Sequence, residues 1–387
     1  MGLPEDEKRG CPVDLESHQS FCDQAEDLAW ILWRRQPDLS AGARQAKGGR
    51  LMLARILFRL LGAIPMLFGV VLATFLLTRV LPGDPAVLFA SNPSMSASDI
   101  EALRQSLGLD KSLPQQFWIY LVDLFHGDLG QSISTGLPVL TELKSRLPAS
   151  AELTVLAFLI AMFIAIPLGV SAALNRGTLI DHASRIIATL GVSLPTFVAG
   201  LLLIYIFYFQ LGIAPEPIGR LDPFLFAPDR VTGFLTIDAL IARDYEVFRS
   251  TLSRLILPAL TMALFALAPL TRMTRASMLG ALGSDYVRTA RANGLARRQI
   301  IWTYAFRNAM LPIITSLGMI FSYMLGTNVL VERVFAWPGI GAFAVDSLIN
   351  LDYAPLQGFM LLMAAIFILV NLTTDLLTAM IDPRAAK

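Results

Sequence analysis

The side chains whose type and spacing could do chemistry in this chain are arginines, and the chemistry they offer is recognition of charge. Between two long apolar stretches runs Asp285-Tyr-Val-Arg-Thr-Ala-Arg-Ala-Asn-Gly-Leu-Ala-Arg-Arg-Gln299, continuing to Arg307-Asn-Ala-Met-Leu-Pro312. Arg272, Arg275, Arg288, Arg291, Arg297, Arg298 and Arg307 share this loop with one acid, Asp285. A guanidinium is always charged and presents a rigid fork of donors. Arginines patterned this way suit a docking surface for a soluble partner; the blander reading is a loop that only grips anionic lipid. Nothing comparable supports covalent catalysis. His18, His126 and His182 are scattered, and no Ser/His/Asp set or carboxylate pair converges within the apolar stretches. Cys11 and Cys22 read as free thiols, since C-x10-C alone is neither a disulfide framework nor a metal site. A phosphate-binding G-x-x-x-x-G-K-[ST] loop is also missing: Lys111 precedes Ser112 but follows Asp110. The chain therefore reads as no enzyme, with no cofactor and no metal. Any ATP must be handled by another polypeptide.

The arginines need a scaffold, and the local sequence supplies one. Ser284 is placed to cap a helix whose first turn carries Asp285, where the helix dipole favours an acid. Gly294 breaks that helix. In the next helical stretch Ile300, Ile301, Tyr304 and Ala305 share a face, with Arg297, Arg298 and Arg307 as polar cover. Such a helix–Gly–helix hairpin can lie along a membrane surface and present its tip to a partner.

The rest of the chain is built to cross a membrane. Of its 387 residues 55% are hydrophobic and 16% charged, against about 25% charged in soluble domains. Mean hydropathy is +0.60. The net charge of +1 gives no pull toward nucleic acid. A spanning helix needs about 20 mostly apolar residues, and charge-free windows predict six: Leu60–Thr78, Leu153–Asn175, Ile186–Pro215, Leu255–Thr271, Asn308–Val331 and Tyr353–Thr374. The third window is too long for one span, and the fourth is short and carries Pro258 and Pro269. Six spans put both termini on one side. The arginine-rich 272–307 loop, Arg176 and Arg185 between spans two and three, and Arg384 and Lys387 in the tail put that side in the cytoplasm. The exception is the loop 216–254, which holds five arginines, but acids including Asp222, Asp229, Asp238, Asp244 and Glu246 bring it near balance. Residues 1–27 are polar and acidic and contain no secretory signal.

Several segments, in order, carry a family resemblance. They are Leu81-Pro-Gly-Asp-Pro85, Gly127-Asp-Leu-Gly-Gln-Ser132, Arg146-Leu-Pro-Ala-Ser-Ala-Glu-Leu-Thr154, Tyr286–Leu295 with Arg307–Pro312, Glu332-Arg-Val-Phe-Ala-Trp-Pro-Gly-Ile-Gly341, and Asp375-Leu-Leu with Ile381-Asp-Pro-Arg384. Together they resemble the inner-membrane permeases of bacterial peptide-type ABC importers, specifically the first permease of dipeptide, oligopeptide and nickel systems. The resemblance implies an all-α type I importer permease with six transmembrane helices. It implies a second homologous permease, two ABC ATPase subunits, a periplasmic substrate-binding protein and membrane lipid as partners, with no nucleic acid. It also implies alternating access, in which the 285–307 segment couples ATPase closure to the spans. The coupling residues carried over are Asp285, Arg288, Thr289, Ala290, Arg291, Gly294, Leu311 and Pro312. Arg288-Thr-Ala290 stands where the general permease motif has Glu-Ala-Ala, and Leu311-Pro312 comes five residues late. No glutamate is left to carry that motif's salt-bridge role.

The division expected is an N-terminal extension over 1–51, a first helix and outer segment over 52–145, the permease domain over 146–378, and a cytoplasmic tail over 379–387. Met52-Leu-Ala-Arg-Ile-Leu-Phe-Arg resembles the family's usual start, so Met52 is the expected initiator; the alternative is a disordered extension. Pro82–Pro85 reads as a sharp turn, and 95–125 as short amphipathic helices with pairs such as Phe117/Tyr120. Glu332 and Asp375 lie near span ends, where water reaches them, and read as structural. Two rival classes stay in view. An ion-coupled secondary transporter would need buried mid-span charges; a membrane-embedded enzyme would need a converging polar site. Substrate is not legible: peptide, nickel chelate, glutathione and sugar are all carried within the family, with peptide the default.

Overall fold

The computed structural model describes residues 61–79, 105 and 110–381. The expectations for residues 1–51, for both cysteines, for Pro82–Pro85 and for the start of the 95–125 segment fall outside these residues, as does the tail beyond 381. The architecture that follows is that of the unit Ala63–Lys387.

Among the described residues five helices are long and apolar enough to cross a membrane: α1 (Leu61–Arg79), α3 (Val139–Leu174), α7 (Tyr245–Leu282), α9 (Arg297–Val334) and α11 (Tyr353–Ile381). Shorter helices join them: α2 (Leu113–Phe125), α4 (Leu179–Ser193), α6 (Leu235–Ile241), α8 (Asp285–Ala292) and α10 (Ile340–Ile349). The third expected span is not one helix. It is α4 followed by α5 (Thr196–Gln210), whose second half, Ile204–Gln210, is π-wound. Pro195 explains the break, because its ring pushes the preceding residue out of helical conformation. Leu194 is accordingly extended, at φ −109°, ψ 137°.

The fourth span also departs from its window. The expected Leu255–Thr271 is only the middle of α7, whose 38 residues reach about 57 Å at 1.5 Å per residue. A hydrocarbon core is about 30 Å thick, so α7 runs well past it at both ends, and Pro258 and Pro269 are held inside the helix.

Small side chains let the central helices approach closely. Ala149, Leu153, Ala157, Ala161, Ala165, Gly169 and Ala173 recur every four residues along α3, and all are buried. The same helix turns Phe163, Ile164, Val155 and Leu159 outward. Apolar lipid offers no hydrophobic drive between helices, so packing of small residues has to supply it. A Cβ on Gly169 would stand 2.7 Å from the Cβ of Thr274, and one on Gly191 would stand 2.5 Å from the Leu264 carbonyl oxygen. These two contacts fix α3 and α4 against α7. The main core joins α3, α7 and α9 with Phe335 and Trp337. On α2, Phe117 and Tyr120 pack on Phe75 of α1, with ring centroids 5.1 and 6.1 Å away, as the amphipathic pairing predicts. Burial pushes the Tyr120 phenol up to about 12.

Candidate functional site

The arginine-rich loop folds as a hairpin joining α7 to α9. α7 ends at Leu282, and only Gly283 and Ser284 separate it from α8. Ser284 has the extended backbone of an N-cap, but its hydroxyl does not cap α8. It donates instead to the Ala281 carbonyl at 2.5 Å. The last carbonyls of a helix have no internal partner, and α7 ends so close by that the hydroxyl serves it rather than α8. The Ser284 carbonyl still accepts from the Arg288 N–H at 3.1 Å, and Asp285 occupies the first turn.

Gly294 ends α8 as expected, at φ +71°. Its N–H bonds the Arg291 carbonyl at 3.0 Å, and the Leu295 N–H bonds the Ala290 carbonyl at 3.3 Å. This is the paired pattern of a Schellman motif, whose left-handed position glycine fills without a Cβ penalty. Leu295 then packs back on the hairpin's own small core of Val287, Ala290 and Ile300, joined by Tyr304. The predicted apolar face therefore divides: Ile300 and Tyr304 close the hairpin, while Ile301 and Ala305 join the main core.

The candidate coupling residues take up three different positions. Asp285, Arg288, Thr289, Arg291 and Gly294 are exposed on the hairpin, and Ala290 is its buried anchor. Leu311 and Pro312 are not with them; they stand half-buried inside α9. Between lies the π-wound stretch Ile300–Phe306, so α9 runs unbroken from the hairpin into the span. The one ion pair within this set, Arg288–Asp285 at 3.2 Å, has side chains 77% and 94% exposed. Such a pair adds little to stability, so the face stays free to bind elsewhere.

One buried contact at this end was not singled out in the sequence. Arg275 of α7 grips Asp181 of α4 through Nε and Nη2, which donate to Oδ1 and Oδ2 at 2.7 and 2.9 Å. The Gly177 N–H adds a third bond at 3.1 Å, and Arg185 lies 3.8 Å away. The Arg275 hydrogen bonds, with the Gly177 N–H, hold the Asp181 carboxyl down at about 2. A signal was present: Asp181 is the one acid between Arg176 and Arg185.

The opposite end holds buried carboxylates: Glu332 and Glu152 accept through both oxygens, whereas Asp352 accepts through Oδ2 only, its buried Oδ1 having no partner among the described residues. Glu332 of α9 is fully buried, so the expectation that water reaches it is wrong. Its Oε1 accepts from Ser150 Oγ at 2.5 Å and Asn328 Nδ2 at 2.8 Å, and its Oε2 from the Ala342 N–H at 2.9 Å. Ser150 Oγ accepts in turn from the Ile340 N–H, and Trp337 Nε1 donates to the Ala149 carbonyl. The Glu332–Gly341 motif is thus a clasp that ties α3, α9 and the start of α10 together. Glu152 accepts from Thr236 and Arg220, and Asp352 accepts from Ser132 and the Ser134 N–H. Arg254 pairs with Asp222 at 3.1 Å. The arginines that blurred the charge pattern of the 216–254 loop are therefore partly spent on acids. Asp375 lies half-buried in α11. Among the described residues no group of three or more His, Cys, Asp or Glu side chains could hold a metal ion.

The family described as "Binding-protein-dependent transport system inner membrane component" matches residues 165–387, and its N-terminal companion matches 52–154. The chain is 46% identical to a probable D,D-dipeptide transport system permease protein, DdpB, of Escherichia coli K12, over 84% of this chain and 95% of that one. It is 40% identical to the dipeptide transport system permease protein DppB of the same strain, over 86% and 98%. It is 39% identical to the glutathione transport system permease protein GsiC of Escherichia coli O6:H1, over 86% and 98%.

Proposed function

Because this chain belongs to the family of binding-protein-dependent transport system inner membrane components, we propose that it carries short peptides and couples to its ATPase through the 285–307 hairpin. The chain is an all-α, multi-pass inner-membrane permease subunit of an ABC importer, working with an ATPase and a substrate-binding protein. That identity displaces the ion-coupled secondary transporter.

The finer assignments are our own reading. The substrate class rests on what the relatives are named for, D,D-dipeptide, dipeptide and glutathione, all short peptides. A second homologous permease completes the path, two ATPase subunits sit below, the binding protein docks above, and lipid surrounds the rest. Both termini and the hairpin face the cytoplasm, supported by the arginine distribution. The transport domain is taken to run over 146–378.

The observation that carries the coupling role is the hairpin itself. It has a private core, an exposed and nearly unpaired arginine face, unbroken helical continuity with α9, and only a two-residue link to α7. A partner that moves this face moves both helices. Alternating access then follows from contacts that differ between the two states. Charge reversal at Arg288 and Arg291 should abolish uptake while leaving membrane insertion intact. Placing Val at Gly294, where φ is +71°, should do the same; a Cβ there meets no atom within 4 Å, so the cost is backbone strain alone, ~1–2 kcal/mol. Wild-type uptake and substrate-stimulated ATP hydrolysis in these variants would overturn the assignment.

A further inference from the structure

A cleft of about 570 Å³ opens where the end of α3, the end of α7 and the α8–α9 turn meet. This is within the usual range for small-ligand sites, about 300–1,000 Å³. Three arginines line it, Arg176, Arg291 and Arg297, over an apolar floor that includes Leu279, Ile300 and Ile301. Among the described residues none of the three has a carboxylate partner. Two of the described acids near this end are engaged elsewhere: Asp181 with Arg275, and Asp285 with Arg288.

Depth in the membrane follows from the flanking residues. Just along the chain from Arg176, Leu179 is 87% and Ile180 50% exposed; next to Ile301, Trp302 is 53% exposed. Open water does not suit these side chains. A headgroup boundary does, and tryptophan concentrates there. Three unpaired guanidinia over leucine and isoleucine at that boundary complement one kind of molecule, with phosphate at one end and hydrocarbon at the other.

We propose that this cleft is a binding site for an anionic phospholipid, its phosphate held by Arg176, Arg291 and Arg297 and its upper acyl chain lying on Leu279, Ile300 and Ile301. Basic pockets between transmembrane helices take such headgroups, and guanidinium–phosphate bonds are strong when two-pronged. The lipid would bridge the hairpin, through Arg291 and Arg297, to the end of α3, through Arg176. It would steady the coupling element against the bundle and leave Arg288 free; because Arg291 is shared with the coupling face, the test rests on Arg176. The inference rests on the proposed cytoplasmic placement of this end.

The test is native mass spectrometry of the assembled importer released from nanodiscs of equimolar phosphatidylglycerol and phosphatidylcholine. Wild type should retain phosphatidylglycerol in preference. Arg176→Gln should cut that retention about fivefold, the loss of one arginine's attraction. Arg272→Gln removes the same charge at an exposed position outside the cleft and should leave retention unchanged. Equal loss in both variants, no preference for phosphatidylglycerol, or displacement of the lipid by inorganic phosphate would overturn the site. So would a photo-crosslinker at position 176 that captures the ATPase subunit rather than lipid. Orientation is read separately, with a cysteine at position 176 in a chain lacking Cys11 and Cys22. Labelling by an impermeant reagent in inside-out vesicles alone keeps the cytoplasmic placement, so a lipid failure would then count against the cleft only. Labelling from the outside would remove that placement and the inference with it.

Discussion

The two ends of this bundle use charge in opposite ways. At the end where α9 finishes, Glu332 and Glu152 are buried and accept through both oxygens from other elements. At the hairpin end, Arg288 and Arg291 are exposed and nearly unpaired. Buried polar groups with satisfied partners fix a unique arrangement, and leaving one partner unmatched is costly. Exposed charges cost little to keep and are free to meet a partner. One end is built to hold its shape and the other to be pulled upon, so substitutions at the two ends should separate stability from transport.

The largest loss of stability is expected at Glu332. Glu332→Ala removes the acceptor for Ser150 Oγ, Asn328 Nδ2 and the Ala342 N–H at once. Each buried donor left unmatched costs about 1–3 kcal/mol, so the variant should lose about 3 kcal/mol or more. A large drop in thermal midpoint in detergent, with reduced accumulation in the membrane, is the expected result. A midpoint equal to wild type would mean that the clasp does not hold α3, α9 and α10 together.

Asp181 is the intermediate case, a buried tether at the otherwise open end. Its carboxyl is held down at about 2 by Arg275 and the Gly177 N–H, against an ordinary value near 4. The folded chain disfavours protonation, so the tether's contribution is complete above about pH 4 and disappears only as pH falls toward 2. Asp181→Asn should lower the thermal midpoint by a constant amount from pH 8 down to about pH 4, with the gap closing below that. A gap that closes between pH 7 and 5 would place the titration elsewhere.

Much of this contrast was legible in the sequence, and the unreadable parts have physical causes. The hairpin could be read because its signals are local: Gly294 after a helical run, and apolar residues at helical spacing. The spans could be read from hydropathy, but their ends could not. Hydropathy sees the apolar middle of α7 and not the polar turns that continue it to Tyr245 and Leu282. The break at Pro195 was hidden because prolines in membrane helices are often tolerated. Glu332 was misjudged because position along a helix does not reveal what covers it; its partners Ser150 and Ala342 lie 182 and 10 residues away. Asp181–Arg275 spans 94 residues and was hidden for the same reason. Ser284 failed as a side-chain cap because two helix ends compete for one hydroxyl, and a motif read on one helix takes no account of the other.

The smallest stability effect, and the sharpest test of the contrast, belongs to Arg288 and Asp285. Their pair spans one turn of α8 with both side chains mostly exposed, a setting where ion pairs contribute about 0–1 kcal/mol. Arg288→Glu also places a like charge beside Asp285, adding a few tenths of a kcal/mol of repulsion. The thermal midpoint should therefore stay close to wild type. Uptake should nevertheless fall to background, because the guanidinium is a free contact and not a structural one. A double variant, Asp285→Arg with Arg288→Glu, restores the local pair but not the face a partner meets. If it recovers uptake, the pair matters for folding the hairpin; if it stays inactive with a wild-type midpoint, the arginine acts on a partner.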